Sequence, residues 1–270
     1  MTPTEALRAT EMIAAVGVFL CAAEAIRLPE VHDDRGLLSW AVTSTGFEGF
    51  PWPRFVRGLD RILSYRRFRI LNATRVAALF PLFWLSGPAH AVFASVVTVV
   101  GVLLFVRSHY GQDGADQVLT LVFGTAALAE AVGTETARAL AVGSLGVHAC
   151  LAYFFAGITK WAGPGWRTGR SLTAIFSTQL YGSPFLHRRL AHRPRLARLV
   201  AHLGMAWEVG FPIMLVLPAP FAASILLMGI GFHLITAVFM GLNTFLWAFL
   251  ALYPGAWYLH GLLRRLIEQS

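Results

Sequence analysis

Residues 70–107 read ILNATRVAALFPLFWLSGPAHAVFASVVTVVGVLLFVR. Two apolar runs, 70–87 and 89–107, meet at Gly87-Pro88. Each approaches the roughly 20 residues that an α-helix needs to cross a hydrocarbon core about 30 Å thick. Glycine and proline end helices and leave only a tight turn between neighbours. The stretch therefore predicts two antiparallel membrane-spanning helices.

Extending outward from this hairpin with a window of about 19 residues places further spans at 9–27, 116–133, 138–158, 199–217, 220–240 and 243–262, eight in all. Pro218-Ala219-Pro220 and the 133–137 connection are short turns of the same kind. The expected fold class is all-α, a polytopic transmembrane helical bundle of about eight spans, with residues 1–270 as a single membrane domain. Composition agrees. The chain is 56% hydrophobic and only 13% charged, with a mean hydropathy of +0.62, whereas globular domains are about one quarter charged. That excludes a soluble fold. Neither an internal repeat nor a low-complexity tract is present, so an inverted-repeat transporter has no support here. Cys21 and Cys150 lie inside apolar runs and read as packing residues. Met1 to Leu7 carries no basic region and no small-residue cleavage pattern follows, so no removable signal peptide is expected.

Two longer segments, 28–69 and 159–198, fall on one side of the membrane if the eight spans hold. In the first, Phe55, Leu59, Ile62 and Leu63 recur at helical spacing while Arg54, Arg57, Arg61 and Arg66 take other faces, the pattern of an interfacial amphipathic helix. The second passes through Trp161, Trp166 and Tyr181 and ends in a basic run from His187 to Arg198. The side bearing both segments holds 16 of the 21 arginines, and the other holds Arg8, Arg138, Arg264 and Arg265. The positive-inside rule makes the arginine-rich side cytoplasmic. The net charge of +8 then points to anionic lipid headgroups, met by Arg188, Arg189, Arg193, Arg195 and Arg198, and not to nucleic acid.

Lys160 is the single lysine in a chain that otherwise uses arginine for its basic charge. Arginine stays protonated in proteins, whereas a buried lysine can lose its proton and act as a base or nucleophile. The plainer reading is a snorkelling lysine at the end of the fifth span. Glu208 lies in the middle of an apolar span and His233 at comparable depth in the next. A carboxylate at the bilayer centre costs at least about 2.5–3.5 kcal/mol and normally faces the bundle interior with a partner. For Glu208 a structural tie between helices is as reasonable as a functional role, and for His233 a hydrogen-bonded core imidazole is the simpler account. Asp113, Asp116 and Gln117 follow His109 and Tyr110 just before the fourth span, where carboxylates cap a helix and complement its dipole. Arg75 is either a snorkelling residue or a partner for one of these acids. The nine histidines form no His-Glu-x-x-His pattern, so no metal site is expected.

Ala156-Gly157-Ile158-Thr159-Lys160 followed by Gly165-Trp166-Arg167-Thr168-Gly169 resembles the membrane domain of the vitamin K-dependent gamma-carboxylase family, whose bacterial form is the horizontally transferred transmembrane, or HTTM, domain. Glu208-Val209-Gly210-Phe211-Pro212, Phe232-His233 and Gly241-Leu242-Asn243-Thr244-Phe245-Leu246-Trp247 continue the likeness, which runs from about residue 66 to 260. The resemblance implies a membrane enzyme of the bacterial cytoplasmic membrane that acts on reduced vitamin K, menaquinol or another lipid-soluble substrate. Lys160 would be the base, His233 a proton carrier or hydrogen-bond donor, and Glu208 the group that sets their charge states. It also implies a cavity lined by Asp116, Trp166, Lys160, Glu208 and His233, with Trp161 and Gly169 on the substrate-binding side. A peptide or protein is the substrate such an enzyme would carboxylate. The chain departs from the family at Gly114-Ala115-Asp116-Gln117-Val118-Leu119, where the carboxylases carry an assisting histidine, and after the last span, where they carry a large extramembrane region. Two other readings stand beside this one: an accessory membrane protein that binds a peptide or protein partner, and a small-solute transporter using Glu208 and His233.

Overall fold

The computed structural model describes residues 1–47, 51, 53–108 and 114–269, the side chains at 53 and 55–57 excepted, and the regular structure among them is helical throughout. His109, Tyr110 and Asp113 lie outside the described residues, as do the side chains of Phe55 and Arg57. The helices are α1 (Pro3–Arg27), α2 (Pro29–His32), α3 (Trp40–Thr43), α4 (Pro53–Ile62), α5 (Tyr65–Leu82), α6 (Gly87–Arg107), α7 (Ala115–Val132) and α8 (Glu135–Ala162). After these come α9 (Pro164–Arg167), α10 (Arg170–Ile175), α11 (Pro184–Ala191), α12 (Pro194–Gly210), α13 (Ala219–Met240) and α14 (Asn243–Gln269). Proline opens α2, α9, α11 and α12 within their first turn, where its missing N–H has no helical partner to lose.

Among the described residues, five helices are long and apolar enough to cross a membrane: α1, α6, α7, α8 and α13. By length and composition this is a multi-pass helical membrane protein. The other three predicted spans coincide with α5, α12 and α14. α5 carries Arg66, Arg67, Arg69 and Arg75 along its 18 residues. α12 stops after 17 residues, because Pro212 cannot donate to the Glu208 carbonyl. Phe211 N–H takes that carbonyl instead and the chain tightens into a 3-10 turn, Phe211–Leu215.

The chain forms two compact units, Leu7–Ala141 and, with Met1–Ala6, the residues from Val142 onward. In the first, α6 packs between α5 and α7. The segment between α1 and α5 folds onto this group through Trp40, Leu59 and Leu63, against Leu103 and Val106 of α6. The expected amphipathic helix is thus seen in part: Leu59 and Leu63 turn inward and Arg54, Arg61 and Arg66 outward, while Ile62 is 41% exposed. Arg107, fully buried at the end of α6, ties this segment down by donating to the carbonyls of Leu63, Leu38 and His32 at 3.0, 3.0 and 2.7 Å. In the second unit α13 packs on α14, and the short helices α9, α10 and α11 gather on α12. Phe176, Leu190 and Ala197 form their common core.

Candidate functional site

The second unit carries two of its ionisable groups on α8 and α12. Gly157 lies where these helices meet: a methyl group there would come within 2.8 Å of the Val209 N and 2.9 Å of the Glu208 Cβ. Only a residue without a side chain permits that approach. One turn further on, Lys160 Nζ lies 2.5 Å from Glu208 Oε1. The lysine side chain is 26% exposed and the carboxylate 5%, so the pair runs from a dry end at Glu208 to a partly open end at Lys160. The ammonium also stands 5.8 Å from the centre of the Trp166 ring, within cation-π range. Glu208 Oε2 is buried and has no hydrogen-bond partner, leaving one acceptor free beside the pair.

His233, on α13, is 1% exposed. Its Nε2 lies 2.6 Å from the Tyr153 hydroxyl, which lies 2.8 Å from the Tyr253 hydroxyl. Two proton arrangements satisfy this chain. Either Tyr253 donates to Tyr153 and Tyr153 to the imidazole, or the imidazole Nε2–H donates to Tyr153 and Tyr153 to Tyr253. The two arrangements differ by reversal of both bonds, and His233 Nδ1, at the end of the array, is buried without a hydrogen-bond partner. Aromatic rings enclose it: Phe211 and Trp207 stand 4.2 and 4.9 Å from the Tyr153 ring, and Phe249 stacks on His233 at 4.7 Å.

The structure thus brings Lys160, Glu208 and Trp166 into contact and sets His233 in a tyrosine array in the same unit. The other residues singled out in the sequence have different surroundings. Trp161 is half exposed and stands edge-on to His202 at 5.6 Å. Gly169 adopts φ +77°, and a methyl group there would meet the backbone of Ala197 and Arg198 at 2.7 and 2.5 Å. It closes the α9–α10 turn against α12. Asp116 belongs to the unit Leu7–Ala141. There it pairs with Arg75 at 3.7 Å and accepts from Cys21 Sγ at 3.2 Å, so Arg75 is the partner of an acid. Arg188, Arg189, Arg193, Arg195 and Arg198 are all exposed along α11 and the start of α12, with Leu190 and Ala197 turned inward. Among the described residues, no group of three or more histidines, cysteines and carboxylates is placed to hold a metal ion.

Tyr153 and Tyr253 escape sequence reading because each looks like one more aromatic in an apolar run. A signal was available for Tyr153: seven residues before Lys160, it lies two helical turns away on the same face. Comparison with protein-family models, with curated proteins and with solved structures gives no match to this chain.

Proposed function

We infer that the protein is an eight-span enzyme of the bacterial cytoplasmic membrane, acting on an isoprenoid quinol such as reduced vitamin K or menaquinol, or on another lipid-soluble substrate. The observation that carries this reading is the 2.5 Å contact between the single lysine and a buried carboxylate. In this reading Lys160, as its free amine, takes a proton from a substrate hydroxyl, and the ammonium that forms has the buried Glu208 carboxylate as its counter-ion. His233, with Tyr153 and Tyr253, supplies a relay for the proton. The free Glu208 oxygen and the surrounding aromatic rings suit a flat, mostly apolar substrate with a polar edge.

The motif resemblance to the gamma-carboxylase membrane domain supports the same assignment, and by that likeness the deprotonated quinol is oxygenated, with a peptide or protein as the group carboxylated. The five exposed arginines favour anionic lipid as the neighbour of α11 and α12. Arg193 and Arg195 stand at the start of α12, where the helix dipole disfavours cations and an outside anion compensates them.

The test is oxygen consumption by the protein in nanodiscs after addition of reduced menaquinone or a vitamin K analogue, for wild type, Lys160→Met and Lys160→Arg at matched thermal stability. Arginine keeps the charge and the pairing but cannot be a base. Uptake that is lost in both variants supports the enzyme. Uptake that survives in Lys160→Arg removes the lysine as base. Silence of wild type across several quinols, with and without bicarbonate, overturns the quinol reading and leaves the accessory role in its place.

A further inference from the structure

A second pair of buried ionisable side chains lies in the unit Leu7–Ala141. Glu11 on α1 is 4% exposed and His90 on α6 is 0%. His90 Nε2 lies 3.1 Å from Glu11 Oε1, but off the line of a formed hydrogen bond. Both carboxylate oxygens and both ring nitrogens are left without a hydrogen-bond partner, as is the buried hydroxyl of Thr10. Buried polar atoms are nearly always partnered, and ionisable groups at membrane depth mark functional positions by default. Glu11 also lines a cavity of about 50 Å³, walled by Arg8, Leu79, Leu82, Phe83 and Phe123. One water needs roughly 10–15 Å³, so the cavity has room for more than one.

Other charged groups lie in the same unit. Arg8 on α1 donates to the carbonyls of Leu82 and Leu85. On α7, Glu130 accepts from Gly87 N–H and from Arg138 of α8, both at 2.7 Å. Arg138 also holds Glu135 at 2.9 Å. Glu135 is 61% exposed, and Arg8 lines the same cavity as Glu11. A single proton between Glu11 and His90 forms an O–H on Glu11 or a second N–H on His90.

We propose that Glu11 and His90 form a proton-binding site, loaded and unloaded by water in the cavity beside Glu11. The ligand is a single proton shared by the carboxylate and the imidazole. Which of the two atoms carries it is decided by the neighbours, so substituting either residue alters the site.

Infrared difference spectra of the whole protein in nanodiscs, taken between about pH 5 and pH 9, test this through the carboxyl stretch and the imidazolium ring modes. The expected result is a carboxyl step, present in wild type and missing in Glu11→Gln, whose midpoint His90→Gln moves by a pH unit or more. A Glu11→Gln spectrum that titrates as wild type does overturns the proposal, and so does a midpoint indifferent to His90→Gln. Should either variant not fold, Glu11→Asp takes its place, and a carboxyl step whose band position and midpoint it leaves unchanged overturns the proposal.

Discussion

Gly157 of α8 and Glu208 of α12 approach so closely that a methyl group on the glycine would stand 2.9 Å from the Glu208 Cβ. The Lys160–Glu208 contact one turn away depends on that approach. Gly157→Ala forces the two helices apart, with a cost of about 1–3 kcal/mol, the usual range for overpacking. Gly143→Ala, on the same helix with nothing within 4 Å of the added carbon, is the control and leaves stability unchanged or slightly higher. Thermal unfolding of the two variants in detergent compares them directly, and equal melting would mean that the α8–α12 contact is not tight.

Lys160→Met leaves the Glu208 carboxylate buried and without its cation. Breaking a buried pair from one side costs about 3 kcal/mol, largely as the penalty of the stranded charge. Glu208→Gln in the same chain removes that charge, so the double variant should be more stable than Lys160→Met alone. A double-mutant cycle should give a coupling of roughly 0.5–3 kcal/mol. Strictly additive effects would show that the two groups do not sense each other.

These two contacts show how far the residues could be read before the fold was known. Apolar runs of span length announce helices, and a helix lies at each predicted span, but among the described residues only five of these are long and apolar enough to cross a membrane. Lys160, Glu208 and His233 stand out because an ionisable group in an apolar run is rare at any depth. Their partners do not stand out. Lys160 and Glu208 are 48 residues apart, and nothing local in either run names the other. Arg75 had several acids within reach of its span, and only the fold, which brings Asp116 of α7 to 3.7 Å from it, selects one. Gly169 shows the opposite difficulty. Its motif position suggests a substrate contact, whereas its φ of +77° and its seat against Ala197 and Arg198 are reasons of chain geometry for a glycine there.

Arg107 supplies a third test. Its guanidinium bonds three carbonyls and stands 4.1 Å from the centre of the Phe68 ring. Arg107→Met leaves those carbonyls without their donor, at a cost on the order of 3 kcal/mol. A lysine carries one compact ammonium and cannot span the same fork, so Arg107→Lys recovers only part. Amide hydrogen exchange should locate the damage: protection falls between residues 28 and 47 in Arg107→Met, while α7 is unaffected. Uniform loss across the chain would contradict the pinning role.

The same guanidinium makes stability depend on pH. His32, in the short helix α2 outside the membrane-spanning segments, is held below its ordinary value of 6.5, first by burial and then by the charge of Arg107. The unfolded chain therefore takes up the proton before the folded one does. Stability from this source is complete above about pH 6.5 and is lost as the pH falls from there through the folded-state value, since protons bind preferentially to the unfolded state over that interval. His32 stacks on Phe68 at 4.8 Å, so His32→Phe keeps the ring contact and removes the titration. Melting temperatures measured at about pH 7.5 and about pH 5 should fall less in His32→Phe than in wild type. An equal fall in both would assign the acid sensitivity to another group.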